Sequence, residues 1–340
     1  MNAPAINAPS MAIAQHLTLN ATKEVARIAA RLRQQLSRAL NRRGLVVAIS
    51  GGVDSAVCAH LAVRAVGAGR VFGLLLPERD SQDESTRRGR QVAEQLGIDH
   101  ALFDIAPALE ALGCYRQRDE AMRATFPAYT DGWKSKLVIA GGQDGHFNHF
   151  KLVVQAPDGA VEDARLEHRD YLQIVAATNF KQRIRKNVEY FHADRLHYAV
   201  VGTPNRLEYD QGFFVKNGDG AADLKPIAHL YKTQVYQLAE HLGVSADIRT
   251  AAPSTDTYSM AQGQDEFYFA LPWPQMDIAL FGVNHGLPVE AIAAELGIAP
   301  EQARRICADI AAKRRTTAPL HWPPLLIEPV SGPRTIPPVA

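Results

Sequence analysis

The sequence predicts an α/β fold, with a doubly wound parallel sheet, helices on both faces, an inserted β-hairpin and a helical C-terminal part. Short β-branched apolar runs alternate with helical segments in the first third of the chain and again after residue 178. The composition, 46% hydrophobic and 21% charged residues, is typical of a globular chain with a large core. No apolar run is long enough to span a membrane as a helix.

The first third of the chain contains three predicted strands separated by helices. In order, the predicted elements are a helix over 18–40, a strand over 45–49, a helix over 55–66, a strand over 71–76, a helix ending at Gly97 and a strand over 101–105. Ser81 and Glu84 have the spacing of a capping box, which predicts the start of the last of these helices. Strands joined in this way pair in parallel, so their carboxyl ends meet at one edge of the sheet.

The alternation is interrupted between residues 116 and 178, which we interpret as an insertion. Apolar runs at 133–140, 147–155 and 161–166 read as strands, and the last two flank Ala156-Pro157-Asp158-Gly159, which predicts a β-hairpin. The elements predicted after the insertion are a basic helix over 179–192, a strand over 196–201, a long loop over 202–226, a helix over 232–242 and two or three helices between 265 and 315.

The two ends of the chain differ in composition from the rest. Residues 1–17 begin with small residues, Pro and Asn, and they predict a disordered lead-in with no signal-peptide pattern. Residues 319–340 are Pro-rich and predict an extended tail. One domain over 18–318, with the insertion at 116–178, is therefore expected between them.

The net charge and the cysteines indicate which kinds of partner, metal site and cellular compartment to expect. A formal net charge of +1 gives no reason to expect nucleic acid or an anionic membrane as a partner. Cys58, Cys114 and Cys307 lie far apart without a C-x-x-C spacing, which favours neither a zinc site nor a disulfide framework. The pattern is typical of a protein in the reducing cytoplasm, where we expect this one to be.

The most informative motif follows the first predicted strand. It is a run of small and polar residues, Ser50-Gly51-Gly52-Val53-Asp54-Ser55. Between a strand and a helix, such a turn presents free backbone N–H groups at the positive end of the helix dipole, where phosphate binds. The glycines permit close approach of the backbone, the serines add hydroxyl donors, and Asp54 can hold a cation. No Walker pattern occurs, and the alternative is an ordinary glycine turn.

A second informative stretch follows the predicted strand over 196–201. It contains Glu208 and a glycine-rich block over 212–227. The Glu208 carboxylate is a hard oxygen ligand, and it could complete a Mg²⁺ site with Asp54 and phosphate oxygens. Two carboxylates near a triphosphate would otherwise repel it. The alternative is that Glu208 is a solvated loop residue.

Taken together, these segments resemble the ammonia-dependent form of NAD synthetase, in the ATP pyrophosphatase (PP-loop) superfamily with its adenine nucleotide alpha hydrolase-like fold. The segments that match are 50–55, 179–185, 202–208, 212–227 and 230–233. The Ser-Gly-Gly-x-Asp-Ser motif by itself identifies only the superfamily. The Lys-x-Gly-Asp-Gly-x-x-Asp-Leu-x-Pro-Ile block, which begins at Lys216, is typical of a much smaller group of proteins than the superfamily.

The resemblance implies an ATP-dependent amidation of deamido-NAD by ammonia, through an adenylated carboxylate, with release of AMP and pyrophosphate. It implies catalytic roles for Asp54, Glu208 and Lys232, with Asp54 and Glu208 as the Mg²⁺ ligands. The residues matched to ATP contacts are Ser50, Gly51, Gly52, Val53, Asp54, Ser55, Thr203, Lys232 and Ser254. The residues matched to deamido-NAD contacts are Arg183, Lys216, Asp223, Lys313 and Arg314.

The resemblance also implies a homodimer with the deamido-NAD site at the subunit interface. Nothing in the sequence resembles a glutaminase domain, so ammonia is expected either free or from a separate protein. One alternative is a PP-loop amide ligase that acts on another carboxylate, which the atypical segment 116–178 supports. The other is a non-catalytic nucleotide-binding relative, and the presence of Asp54, Glu208 and Lys232 argues against it.

Overall fold

In a computed structural model, the chain is described over residues 12–140, 149–251, 258–260, 262–263, 268–269 and 271–331. The α-helices in these ranges are Ile13–His16 (α1), Ala21–Gln34 (α2), Val53–Val66 (α3), Asp83–Leu96 (α4), Ala106–Ala111 (α5), Cys114–Thr125 (α6), His168–Leu196 (α7), Arg206–Gln211 (α8), Lys232–His241 (α9), Ala246–Arg249 (α10), Trp273–Asn284 (α11), Val289–Leu296 (α12) and Pro300–His321 (α13). The strands are Leu45–Ala48 (β1), Val71–Leu75 (β2), Asp99–Leu102 (β3), Lys134–Ala140 (β4), His149–Gln155 (β5), Val161–Arg165 (β6) and Ala199–Val201 (β7).

A parallel sheet with the strand order β3-β2-β1-β7 forms the centre of the fold. In its register, Leu45 of β1 pairs with Val71 on one side and with Ala199 on the other. From β1 the chain builds outward through β2 and β3, and it then returns to the other side of β1 as β7. The direction of winding therefore reverses between β1 and β7, where open α/β sheets bind their ligands at the carboxyl ends of the strands.

Helices cover both faces of this sheet. Successive residues of a strand point to opposite faces, and Leu45 and Val47 lie in one apolar core while Val46 lies in another. The first core is built with residues of α2, α3, α4 and α9, and the second with residues of α5, α6 and α7. The doubly wound parallel sheet predicted from the sequence is confirmed.

The insertion forms an antiparallel sheet of its own, with the strand order β4-β5-β6. The predicted hairpin is confirmed as β5 and β6, and β4 extends it along the other edge of β5. Leu137 of β4 lies opposite Leu152 of β5, and both side chains are fully buried. They pack in one apolar cluster with Met122 of α6 and Ile174 of α7, so the sheet is fixed to these two helices.

Several predicted elements differ from the structure, and three of them do so because of a contact in the folded chain. Helix α7 begins at His168 rather than 179, because its first turns pack against the inserted sheet through Ile174. The loop over 202–226 contains α8, whose N-terminus is capped by Asn205. The Ser81–Glu84 capping box does not form. The Ser81 Oγ instead accepts a hydrogen bond from the Glu78 N–H at 3.1 Å, and α4 begins at Asp83.

The ends of the chain also differ from expectation where the structure describes them. The disorder predicted up to residue 17 is wrong from Ile13 onward, because Ile13 and Leu17 are buried against the C-terminal helices. The predicted helical C-terminal part is confirmed as α11, α12 and α13. Helix α13 runs three residues into the predicted tail, to His321. Among the described residues, no helix is both long and apolar enough to cross a membrane.

Candidate active site

A cavity of about 590 Å³ lies at the carboxyl ends of β1 and β7. Its walls come from the loop after β1, from α7, from the segment that follows β7 and from the start of α9. The site residues predicted from the sequence that line this cavity are Ser50, Gly51, Gly52, Val53, Asp54, Ser55, Arg183, Thr203, Glu208, Lys216 and Lys232. Folding therefore brings most of the predicted site to one place, although its members are widely separated along the chain.

The loop over 50–55 is held by its own hydroxyl groups. The Ser50 N–H donates to the Ser55 Oγ at 3.1 Å, and this hydroxyl donates to the Gly52 carbonyl at 3.0 Å. Gly51 adopts a φ of +83°, and a Cβ added there would lie 2.2 Å from the Ser85 carbonyl of α4. Only glycine fits at this position. The loop leads directly into α3 at Val53, the strand–turn–helix geometry that favours phosphate.

Asp54, Asn205, Glu208 and Lys232 form a polar cluster beside this loop. The Lys232 ammonium donates to the Asp54 Oδ2, and the Asn205 Nδ2 donates to the Asp54 Oδ1 at 3.2 Å. The Glu208 Oε2 accepts the Asn205 N–H at 3.1 Å, while the Asn205 Oδ1 accepts the N–H groups of Leu207 and Glu208. This reciprocal capping box fixes the start of α8 and thereby places Glu208 beside Asp54.

The charges of this cluster affect one another strongly because the cluster is buried. Burial by itself lowers the pKa of Lys232, but the neighbouring Asp54 and Glu208 carboxylates outweigh that effect and raise it above its usual value. Lys232 is therefore a fixed cation, with only 2% of its surface exposed. Burial raises the pKa of the Cys58 thiol well above its ordinary value, and the same two carboxylates add to this shift. Cys58 is thus a core residue and not a thiolate nucleophile.

The donor set at this cluster fits Mg²⁺ bound together with a triphosphate. Mg²⁺ is usually held by one or two protein carboxylates, with the remaining positions taken by phosphate oxygens and water. Asp54 and Glu208 supply two such carboxylates at the phosphate loop. Among the described residues there is no group of three or more His, Cys, Asp or Glu side chains that could hold a metal alone. The two carboxylates therefore fit Mg²⁺ whose remaining positions are filled by phosphate oxygens and water.

A second wall of the cavity is positively charged. The Arg183 Nε donates to the Lys216 carbonyl at 3.3 Å, the Arg185 Nε donates to the Leu76 carbonyl at 3.1 Å, and the Lys216 Nζ donates to the Pro319 carbonyl at 2.8 Å. Within the described part of the chain, no carboxylate forms an ion pair with these three cations. Carbonyl groups satisfy the hydrogen bonds of Arg183 and Lys216 without neutralising their charge, whereas Glu189 and Asp219 of the same lining interact electrostatically with Arg185. The part of the wall formed by Arg183 and Lys216 therefore suits an anionic ligand.

A third wall is aromatic and comes in part from the inserted sheet. Phe150 of β5 stacks on Tyr171 of α7 with ring centroids 4.1 Å apart, and both rings line the cavity. Phe213 and Tyr268, which also line it, stack at 4.6 Å. The insertion therefore borders the same cavity as the phosphate loop.

Three of the predicted acceptor contacts are not themselves part of the cavity lining, although the Lys313 ammonium donates to the carbonyl of Tyr268, which lines it, at 2.7 Å. The Asp223 carboxylate accepts the Val200 N–H at 2.7 Å and so supports the edge strand β7. The Lys313 ammonium pairs with Asp309 at 2.6 Å, and the Arg314 guanidinium pairs with Asp210 at 2.5 Å. These three assignments stay predictions. Ser254, matched to an ATP contact, lies outside the described residues.

Two residues of the site were not singled out from the sequence. Asn205 caps α8 and bonds Asp54, and the spacing Asn205-x-x-Glu208 is itself a capping-box signal that predicts this helix. Arg185 also donates to the Ser81 Oγ at 3.3 Å, which ties α7 to the turn after β2. No local pattern distinguishes Arg185 from the other basic residues of its helix, so only the fold reveals its position.

Comparison with known proteins identifies the family to which the chain is similar. The NAD synthase family model matches residues 24–127 and 148–316. An NH3-dependent NAD+ synthetase of Mesorhizobium japonicum is 57% identical over 311 residues, which cover 91% of this chain and 98% of that protein. The stretch that the family model leaves unmatched, 128–147, contains β4 and is shorter than the insertion predicted at 116–178.

Two solved structures share the fold. The NMN synthetase from Francisella tularensis has a TM-score of 0.62 at 23% identity, over 91% of this chain and 99% of that one. The NH3-dependent NAD synthetase from Campylobacter jejuni has a TM-score of 0.59 at 18% identity, over 91% and 100% of the two chains. At these identities the likeness shows the fold alone. The family model covers most of the sequence and the Mesorhizobium relative nearly all of it, and the chain therefore belongs to the NAD synthase family.

Proposed function

We propose that this protein is an amide-forming ligase that converts deamido-NAD, ATP and ammonia into NAD, AMP and pyrophosphate. The observation that supports this most strongly is a cavity whose lining holds two sets of charged groups. One wall carries the phosphate loop with Asp54, Glu208 and Lys232, and a second carries the cations Arg183, Arg185 and Lys216. Deamido-NAD carries two phosphates and a carboxylate, so it suits the second wall, and ATP suits the first. The name of the 57%-identical relative points to the same reaction.

The first chemical step is activation of the nicotinate carboxylate. A carboxylate is an anion, and ammonia does not attack it. Attack of a carboxylate oxygen on the α-phosphorus of ATP forms an acyl–adenylate and breaks the bond to pyrophosphate, which leaves with the excess negative charge. Lys232 and the N–H groups at the start of α3 stabilise that charge. Mg²⁺ held by Asp54 and Glu208 would supply further neutralisation of the phosphates.

The second step forms the amide. Ammonia attacks the activated carbonyl carbon, the new C–N bond forms, the bond from that carbon to the AMP oxygen breaks, and one proton is released. AMP is a good leaving group because its phosphate stabilises the departing negative charge. Neither step needs a nucleophile from the protein, which agrees with the buried, high-pKa thiol of Cys58.

Three further features belong to this proposal. The enzyme acts as a homodimer, an expectation taken from the family resemblance that a mass measurement in solution tests. It works in the cytoplasm, which is supported by the free state of Cys58, Cys114 and Cys307. Ammonia reaches it free or from a separate protein. An amide ligase for another carboxylate is the second candidate, and it is favoured only by the unmatched stretch over 128–147.

The nucleotide products test the reaction class. With ATP, Mg²⁺, ammonium and deamido-NAD, the enzyme should form AMP and pyrophosphate in equal amounts, one of each per NAD. Quantifying the nucleotides by chromatography and pyrophosphate by an enzyme-coupled assay checks this. ADP and phosphate as products would contradict the mechanism. Faster AMP formation with a different carboxylate, offered at the same concentration, would instead favour the second candidate.

The aromatic wall gives a prediction about the acceptor. Phe150→Ala should raise the KM for deamido-NAD about five- to tenfold, because it removes half of the ring stack that borders the cavity, while the KM for ATP stays the same. Steady-state kinetics with each substrate varied in turn measures this. Leu172→Ala, on an exposed side chain next to Tyr171, is the matched control and should change neither constant. Equal KM values for deamido-NAD in the two variants would show that the insertion has no part in acceptor binding.

A further inference from the structure

The start of α9 is held by a residue from a distant helix. Asp277 lies in α11, and its side chain is completely buried. Its Oδ1 accepts the Lys232 N–H at 3.1 Å, and its Oδ2 accepts both the N–H of Thr233 at 2.6 Å and the hydroxyl of Thr233 at 2.7 Å. Asp277 therefore serves as the side-chain cap of α9, although it is 45 residues away from Lys232 in the chain.

This cap costs more free energy than an ordinary helix cap, because it buries a carboxylate. A Ser, Thr, Asp or Asn at position 231 would cap the helix from the residue directly before it. Position 231 is a tyrosine with no capping side chain, and its hydroxyl accepts a hydrogen bond from Asn284 instead. The cap that is used requires burial of a carboxylate, and burial raises the pKa of Asp277 to about 6. Capping alone does not call for such a group.

The residue that this cap fixes is the cation of the phosphate site. Lys232 is the first residue of α9, so its backbone N–H is bonded to Asp277 while its ammonium is bonded to Asp54 in the loop after β1. Asp277 is not itself part of the cavity lining, and it contacts that lining through its hydrogen bond to the Lys232 N–H. It is embedded in α11 beside Met276, which belongs to the apolar core of the C-terminal helices. One carboxylate thus connects the C-terminal helices to the phosphate loop through Lys232.

We propose that Asp277 is a positioning residue for Lys232, which sets the place of the ammonium at the phosphate loop and thereby the rate of adenylate formation. This inference rests on the proposed function. It predicts an effect on kcat beyond any effect on folding, since a displaced ammonium stabilises the departing pyrophosphate less well. It also predicts little change in the KM for deamido-NAD, because the acceptor walls of the cavity are built from other elements.

The test compares two variants of the same helix. Asp277→Asn keeps the shape but replaces one acceptor oxygen with an amide donor, while Met276→Ala opens a cavity at the neighbouring buried residue and leaves all three bonds intact. The kcat per folded molecule should fall at least about tenfold in Asp277→Asn, with the KM for deamido-NAD within about twofold of wild type. Met276→Ala should keep the wild-type kcat per folded molecule. Equal kcat per folded molecule in both variants would overturn the positioning role.

A second variant keeps the inference testable should Asp277→Asn not fold. Thr233→Val removes one of the three bonds with almost no change of shape, and it should lower kcat about threefold without changing the KM for deamido-NAD. An unchanged kcat there would count against the inference. The wild-type enzyme distinguishes a failure of the proposed function from a failure of the role of Asp277. No AMP from deamido-NAD in wild type would overturn the proposed function, whereas normal wild-type turnover with unaffected variants would overturn only the role of Asp277.

Discussion

Replacing Lys232 with methionine should lower kcat by a factor on the order of 10² to 10³, the typical cost of removing one preorganised donor from a developing negative charge. Lys232 is the buried cation at the phosphate loop, and both Asp54 and Glu208 keep it protonated. Methionine has a similar length and fills the same buried space, so the loss should arise from the charge. Single-turnover measurement of AMP formation at saturating ATP and deamido-NAD gives the rate directly.

The matched control for this variant is Lys23→Met, which removes an exposed lysine from α2 and should leave kcat unchanged. Thermal unfolding of both variants shows whether a lowered rate reflects lost structure. A kcat for Lys232→Met within about threefold of wild type would mean that the buried ammonium serves only to balance Asp54, and the assignment of the pyrophosphate site would then be wrong.

The second large effect is expected from Glu208→Gln. Glutamine can still accept the Asn205 N–H, so the capping box of α8 persists while the negative charge is lost. Turnover should fall by about two orders of magnitude, and a higher Mg²⁺ concentration should be needed for half-maximal rate, because a neutral amide oxygen is a weaker ligand for a hard cation. Steady-state rates measured across a Mg²⁺ titration at fixed ATP report both quantities.

Glu240→Gln provides the control, since Glu240 lies on the exposed side of α9 with 77% of its side chain accessible. It should match wild type in rate and in Mg²⁺ dependence. If Glu208→Gln also shows wild-type turnover and an unchanged Mg²⁺ titration, then Glu208 acts only as the N3 residue of a capping box and Asp54 alone contributes to the metal site.

The sequence determined those features that depend on neighbours along the chain. The strand, the small-residue turn and the helix after it are encoded within residues 45–66, and the structure has them as β1, the 50–55 loop and α3. The glycine requirement at Gly51 could be foreseen because a tight turn at a helix N-terminus needs it. The inserted hairpin could also be predicted from the sequence, since its turn residues lie between two runs with the pattern of β-strands.

Tertiary structure decided which of these local features meet. Lys232 and Asp54 are 178 residues apart, and only the return of the chain to β7 on the open side of β1 brings their neighbourhoods together. The same folding placed Phe150 of the insertion in the cavity wall, and it bonded Asp223 to Val200, Lys313 to Asp309 and Arg314 to Asp210. Asp277 gives no local signal, because a cap donated by another helix leaves no pattern around the helix that it caps. A local motif determines which structure and chemistry a segment can have. Long-range packing determines which other segments lie beside it in the site.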